Sequence, residues 1–224
     1  MGSDTLESRK VCTTPKQKER MVRILDAARQ AFAEHDFHAV LMDDVAREAS
    51  VGKGTIYRYF PDKESLYFAV IFDGVTELKN RIQTAPADRI YPEQTIRKLI
   101  FAVLSFLRQN RFFFRLMTLE DSKLRGGENP DRQRWERERG GLIDAIAQVL
   151  VEAGEAGTIQ VLHPRTEAQI LMGMIRAVRR YDEDLLTIEQ EVEEVSRIFL
   201  CGMRSKGEVY SNEYASELQD ADSV

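Results

Sequence analysis

Cysteine and histidine are scarce in this chain, and their scarcity limits the chemistry that it can perform. The 224 residues include two cysteines and three histidines. Cys12 and Cys201 lie far apart and form no CxxC motif or Cys/His cluster, which argues against a zinc site and against a disulfide scaffold. No cysteine or carboxylate cluster surrounds His35 and His38 at ligand spacing, so surface or packing roles are favoured over a metal site. We expect neither a metal nor a cofactor.

Long apolar runs and enzyme motifs are also missing from the sequence. The longest apolar runs fall far short of the ~20 residues that cross a bilayer, and no basic start followed by an apolar core marks a signal peptide. We therefore expect a cytoplasmic protein without a membrane partner. Because the sequence contains no GxSxG, no HExxH and no glycine-rich loop after a strand, an enzyme is disfavoured and no catalytic residue is predicted.

The apolar residues that are present recur at helical spacing, without a convincing strand or an internal repeat. The segment Thr14–Gln17 matches a capping box with proline in the first turn, and it predicts a helix that ends near His35. Asp62 is expected to cap a fourth helix, which ends near Thr84. We predict an all-α fold.

The stretch from Leu41 to Lys63 is the most informative part of the chain. An apolar stripe ends in the turn 50–54, where two glycines allow the chain to reverse. A very short helix is predicted from Thr55 to Phe60, with Ile56 and Phe60 on its inward face. Its outward face is then left to Thr55, Tyr57, Arg58 and Tyr59.

An outward face of hydroxyl groups and one guanidinium suits a helix laid into the major groove of DNA. The alternative is a helical hairpin inside an ordinary bundle. Between Arg9 and Lys63 there are eleven basic and eight acidic residues, whereas from Asp182 onward there are twelve acidic and three basic ones. The net charge of −5 therefore does not argue against DNA, because the basic end carries the candidate helix.

The order of residues here resembles the helix-turn-helix of the TetR family of bacterial transcriptional regulators. The resemblance covers roughly residues 17 to 70 and is carried by Asp44-Val45-Ala46, by Val51 to Phe60 and by Asp62 to Leu66. Arg58 is our own choice for base reading. The resemblance implies DNA contacts, mostly to phosphates, from Gly52, Lys53, Thr55, Tyr57, Tyr59 and Lys63.

Two departures from the family pattern matter. Val40-Leu41 stands where the family often has serine or threonine, so a helix cap and a phosphate contact are missing. Gly52 stands where serine is common in the turn, and it retains only a backbone N–H.

The resemblance and the helical layout predict the organisation of the rest. We expect a flexible arm over 1–13, an N-terminal three-helix helix-turn-helix DNA-binding domain over 14–82, a C-terminal helical ligand-binding and dimerisation domain over 83–205, and an acidic tail over 206–224. Two helices at about 165–204, with Phe199 on an apolar face, are expected to form a homodimer, because a palindromic operator needs a two-fold partner. Burial of this helix pair inside one monomer is the alternative.

The resemblance also implies a pocket in the second domain for a small-molecule effector. Aromatic and methionine side chains suit an apolar or amphipathic ligand, although they can equally fill a helical core. The candidates are Phe106, Phe113, Phe114, Met117, Trp135, Met172 and Met174. The function expected is that of a repressor released from its operator by the ligand; the alternatives are an effector-free architectural DNA-binding dimer and, less favoured, an all-α enzyme.

Overall fold

The computed structural model describes residues 14–84, 91–114, 130–155, 159–181 and 186–203. They form a helical protein in which no strand is assigned within these ranges, which confirms the all-α prediction. Residues 111–114 are also helical. The other helices are α1 (Pro15–Glu34), α2 (Met42–Glu48), α3 (Lys53–Tyr59), α4 (Lys63–Gln83), α5 (Pro92–Gln109), α6 (Pro130–Gly154), α7 (Pro164–Tyr181) and α8 (Ile188–Met203). The predicted arm, the acidic tail and Met117 lie outside the described residues.

Side-chain caps fix where the helices begin. The amide of Gln17 donates to Oγ1 of Thr14 at 3.3 Å, and the amide of Thr14 donates to Oε1 of Gln17 at 3.1 Å, so the predicted capping box is present. Asp62 caps α4 by accepting from the amide of Ser65 at 2.7 Å. Helix α2 begins at the exposed Leu41 without a side-chain cap, as its sequence predicts.

The turn between α2 and α3 differs from the sequence prediction. Ser50, and neither glycine, takes the left-handed backbone conformation, with φ of 52°. Gly52 has φ of −70° and acts as the helix cap, because its carbonyl accepts from the amides of Thr55 at 2.8 Å and Ile56 at 3.2 Å. Helix α3 therefore begins at Lys53, two residues earlier than predicted.

Burial of Ile56 and Phe60 holds α3 in place. Both side chains lie in the core together with the apolar stripe of α2, Val45, Ala46 and Ala49. Tyr59 is half-buried and packs against this core, so its predicted outward orientation is wrong. Fewer side chains therefore point outward from α3 than predicted.

Helix α4 connects the two halves of the chain. It packs against α1 on one side and against α5 and α6 on another. An aromatic group reinforces this junction: the ring of Tyr67 lies 5.1 Å from that of Phe32 on α1 and 5.4 Å from that of Phe112 in the second half. In the second half α6 packs against α4, α5 and α7, and α8 packs against α5 and α7. Among the helices described, none is long and apolar enough to cross a membrane.

Candidate DNA-binding surface and second-domain sites

The predicted DNA-contacting residues gather at α3, with one exception. Gly52, Lys53, Tyr57 and Arg58 are exposed on this helix or at its cap, while Thr55 and Tyr59 are half-buried beside them. Lys63 lies apart, at the start of α4. The structure therefore brings six of the seven predicted residues to one short helix and its cap.

An ion pair to α2 holds Lys53 on this surface. Its Nζ lies 2.8 Å from Oδ2 of Asp43, and the hydrogen bond to this carboxylate raises the pKa of Lys53 above its ordinary value. A neighbouring pair joins Arg47 to Asp44 at 2.7 Å. Lys53 is therefore an exposed cation at the edge of α3, and a phosphate that contacts it would compete with the carboxylate of Asp43.

Arg58 is the cation of α3 that is left available. Within the described part of the chain it makes no ion pair, and its guanidinium carbon lies 5.7 Å from the centre of the Tyr59 ring. Its N–H donors are therefore not consumed by a carboxylate. A guanidinium in this state can present its two-pronged edge to O6 and N7 of a guanine.

Lys63 links the start of α4 to the loop between α1 and α2 by hydrogen bonds. Its Nζ donates to the carbonyl oxygens of His38 at 3.1 Å and Val40 at 3.0 Å, and it lies 4.7 Å from the centre of the Phe37 ring. An ammonium has three hydrogens, so one remains for a phosphate. The phosphate contact of Lys63 stays a prediction. Sequence reasoning missed its second role, which is to hold the loop between α1 and α2 against the start of α4.

Arg58→Ala is expected to cost about 1–3 kcal/mol per half-site on the preferred operator, because a bidentate contact to one guanine is lost. It should also relax sequence preference at that base position. Lys53→Ala is the matched control on the same helix, and it should weaken binding to all sequences alike while lowering the salt dependence by a slope of about 0.9 per lost phosphate contact. Fluorescence anisotropy on single-base operator variants at several salt concentrations measures both. Equal losses on every variant for Arg58→Ala would make Arg58 another phosphate contact.

Three of the predicted pocket residues, Phe106, Phe113 and Trp135, are buried and their rings pack against one another. The rings of Phe106 and Phe113 lie edge to face with centres 5.1 Å apart, and Phe113 lies 6.5 Å from Trp135. A Cβ atom at Gly74 would lie 2.9 Å from the Phe113 ring, so α4 approaches this group closely. Phe114 and Met172 are also buried, and Met174 is half-buried. Lining of a ligand cavity by these residues stays a prediction.

A groove of about 580 Å³ lies nearby, between α4, α5 and α8. Sequence reasoning missed it. The signal available was the adjacent pair Arg97-Lys98 followed by an aromatic residue one turn later on the same helix face. Residues that line the groove include Arg81, Arg97, Lys98, Phe101, Ser105 and Val192.

A buried ion cluster joins the helices of the second half. Glu191 on α8 has no exposed surface and accepts from Nε of Arg108 of α5 at 3.2 Å and from Nη1 of Arg179 of α7 at 3.5 Å. Arg108 also donates to the carbonyl of Leu186 at 2.7 Å. The single carboxylate thus faces two guanidinium groups, and it fixes the mutual positions of three helices.

The outer face of α7 and α8 carries exposed apolar and small residues beside the exposed ion pair of Arg197 with Glu194. Ile170 is 54% exposed and Ile198 is 49% exposed. Phe199, in contrast, is 5% exposed and belongs to the core of the monomer, so its assignment to a face between two copies is wrong. Ala177, Cys201 and Gly202 are also exposed on these helices, and Gly173 is half-buried.

Comparisons with known proteins agree with this architecture. Residues 24–70 match the sequence model of the bacterial regulatory proteins of the tetR family. The HTH-type transcriptional regulator YhgD of Bacillus subtilis, itself uncharacterised, is 24% identical over 160 residues, which are 71% of this chain and 82% of that protein.

Two solved structures share the fold. FadR from Bacillus subtilis in complex with stearoyl-CoA superposes with a TM-score of 0.67 at 21% identity, over 82% of this chain and 99% of that one. AibR in complex with isovaleryl coenzyme A and operator DNA gives a TM-score of 0.63 at 18% identity, over 81% of this chain and 98% of that one.

A short exposed cationic helix on a helix-turn-helix scaffold, followed by a helical second half, defines a DNA-binding transcriptional regulator. The matched segment 24–70 contains that scaffold, including α2 and α3. Over this segment the chain is similar to the tetR family of bacterial regulatory proteins.

Proposed function

We propose that this protein is a homodimeric repressor that binds a palindromic operator and is released from it by a long-chain acyl-CoA. The observation that carries the proposal is the position of α4. The first residue of this helix, Lys63, holds the loop that precedes α2, and the helix packs against α1 as well as against α5 and α6 of the second half. A ligand that enters the second half therefore acts on a helix that is joined to α1 and to the loop before α2, and α2 in turn packs against α3.

Dimerisation is supported by the size of the DNA-binding surface. Helix α3 has seven residues and exposes Lys53 and Arg58, which is enough for one half-site in one major groove. Two such helices need a two-fold axis, and a self-complementary apolar face provides one. The outer face of α7 and α8, with Ile170 and Ile198, has this character.

An acyl-CoA effector is supported by the relatives and by the composition of the second half. Stearoyl-CoA and isovaleryl coenzyme A are the ligands that two proteins of the same fold hold in their structures. The interior of this chain offers the apolar rings of Phe106, Phe113 and Trp135, and its surface offers a groove with basic residues close by. An amphipathic ligand matches both environments.

Release of DNA follows if the protein has a second conformation, with α4 placed differently, that binds the ligand more tightly and the operator more weakly. A ligand shifts an equilibrium only by the ratio of its affinities for the two states. Because Phe113 lies against Gly74 of α4, an acyl chain that displaces the Phe113 ring changes the packing of α4 directly. By linkage, operator DNA weakens acyl-CoA binding by the same factor.

The experiment is a titration of the protein–operator complex. An operator is first selected from random double-stranded DNA, and its binding is measured by fluorescence anisotropy with increasing stearoyl-CoA. A coupling of 1–3 kcal/mol, or roughly 5–150-fold in affinity, is expected. Stearate and free coenzyme A serve as controls for the two parts of the ligand. Unchanged operator affinity at stearoyl-CoA concentrations that demonstrably saturate the protein would remove the switching mechanism.

The second candidate function is an effector-free architectural DNA-binding dimer. The mutual packing of Phe106, Phe113 and Trp135 favours it, because these rings fill the interior that a ligand would occupy. In that case the second half serves only assembly. No acyl-CoA would then raise the melting temperature of the protein by mass action.

A further inference from the structure

We propose that the groove between α4, α5 and α8 binds the phosphorylated nucleotide end of an acyl-CoA. The inference rests on the proposed function and assigns one part of the ligand to residues that sequence reasoning did not select. This end of the ligand consists of an adenine ring and a cluster of phosphates, so it is both aromatic and strongly anionic.

The charge of the groove matches such a ligand. Its described lining residues include the cations Arg81, Arg97 and Lys98, of which Arg81 pairs with Glu77 and Arg97 pairs with Glu193. Phosphate groups are bound in proteins by arginine and lysine through charge-assisted hydrogen bonds, which are shorter and stronger than neutral ones. Three cations converging on a concave surface are therefore suited to the pyrophosphate and the 3′-phosphate of coenzyme A.

Two of these cations are already held in position. Arg81 donates to Oε1 of Glu77 at 2.6 Å and to Oε1 of Gln109 at 2.8 Å. Arg97 pairs with Glu193 across the boundary between α5 and α8. Glu193 is largely exposed, and exposed ion pairs contribute little to stability. A phosphate can replace this carboxylate at low cost and meet an arginine that is already ordered.

The same groove has an aromatic surface and an unused polar group. Phe101 is 47% exposed on α5, one turn beyond Arg97 and Lys98, and offers a face on which adenine can stack. Oγ of Ser105 is buried and has no hydrogen-bond partner, so it can donate to a phosphate oxygen or a ribose oxygen. The cavity volume of about 580 Å³ lies within the ~300–1,000 Å³ typical of small-molecule sites.

The groove adjoins the interior where an acyl chain belongs. The guanidinium carbon of Arg81 lies 5.4 Å from the centre of the Phe106 ring. Phe106 is fully buried and packs edge to face on Phe113. One side of Phe106 is thus covered by a groove residue and another by the aromatic interior. A ligand with its nucleotide in the groove reaches the interior by passing this ring.

Isothermal titration calorimetry tests the assignment with three probes: stearoyl-CoA, stearate and adenosine 3′,5′-bisphosphate. Arg97→Gln and Lys98→Gln are each expected to weaken stearoyl-CoA binding by about tenfold or more, because each removes a charge-assisted contact to phosphate. Binding of stearate should stay unchanged. Adenosine 3′,5′-bisphosphate should compete with stearoyl-CoA for the wild-type protein and compete less in the two variants.

The control variant is Arg165→Gln, which removes an arginine of α7 whose Nε lies 2.9 Å from Asp144, away from the groove. Its affinity for all three probes should equal that of the wild type. Wild-type affinity for stearoyl-CoA in both Arg97→Gln and Lys98→Gln would overturn the assignment. A change of oligomeric mass in these variants, measured by light scattering, would also overturn it, because the groove would then be a contact between copies.

The outcomes separate this inference from the proposed function. If the wild type binds stearoyl-CoA and releases its operator while the groove variants behave like wild type, the proposed function stands and the groove assignment falls. If stearoyl-CoA has no effect on the operator but adenosine 3′,5′-bisphosphate binds the wild type and not the variants, the groove is a nucleotide site and the proposed effector is wrong.

Discussion

Replacing Ile198 by glutamate is expected to leave a folded monomer that binds its palindromic operator about 10²–10⁴-fold more weakly, since the second half-site is no longer tethered to the first. The isoleucine is 49% exposed in the monomer, on an outer face that it shares with Ile170 of α7. Two copies related by a two-fold axis bring this face against itself, so one substitution places two carboxylates in one apolar interface. Light scattering gives the mass, for which the monomer value is 25.7 kDa, and anisotropy gives the affinity.

Leu162→Glu is the matched control, because it introduces the same charge at an aliphatic residue that precedes α7 and is 63% exposed. It should remain dimeric with wild-type affinity for the operator. Phe199→Asp is unsuitable for this test, because Phe199 is part of the monomer core and its loss would unfold the chain. A monomeric Ile198→Glu variant that binds the palindrome at full strength would contradict the dimer.

Removing the carboxylate of Glu191 is expected to lower the free energy of unfolding by about 3–5 kcal/mol, since two guanidinium groups are left without their buried counter-charge. Arg179 is the more affected of the two, because Glu191 provides its ion pair and its Nε already has no hydrogen-bond partner. For a chain of this length the melting temperature should fall by roughly 6–20 °C. Chemical denaturation of Glu191→Ala followed by circular dichroism measures the change.

Glu193→Ala is the control, because Glu193 lies two residues away on the same helix and its ion pair with Arg97 is largely exposed. An exposed pair contributes at most about 1 kcal/mol. Glu191→Gln should be intermediate, because the amide oxygen still accepts one hydrogen bond while the charge is lost. Equal stability of Glu191→Ala and Glu193→Ala would show that the buried cluster does not hold α5, α7 and α8 together.

Local signals in the sequence were sufficient for the helical layout. Caps and prolines act within a few residues, so the Thr14 box, the Asp62 cap and the start of α5 at Pro92 are all readable from neighbouring positions. The absence of a side-chain cap at Leu41 was readable from the sequence for the same reason. The turn after α2 was misread because glycine is the usual left-handed residue, whereas here the chain uses Ser50.

Long-range partners were not readable from the sequence. Arg108 and Glu191 are 83 residues apart, and nothing in the helical spacing of either segment links them. The two faces of α8 posed a related difficulty: Phe199 and Ile198 are adjacent in sequence but point in directions about 100° apart on a helix, and apolar periodicity does not say which direction meets the core. Packing of the whole second half decides it.

The position of α4 also bears on how such regulators diversify. The family match ends at residue 70, inside α4, and the buried residues of the helix continue beyond that point through Gly74, Val75 and Leu78 to Ile82. The segment shared with relatives thus stops where the helix turns from the DNA-binding core to the interior of the second half. The second halves of two such proteins can be exchanged by recombination or by design. Both cores are preserved only when the junction falls within α4. A junction after Gln83 would separate Gly74 of α4 from the Phe113 ring that packs closely against it.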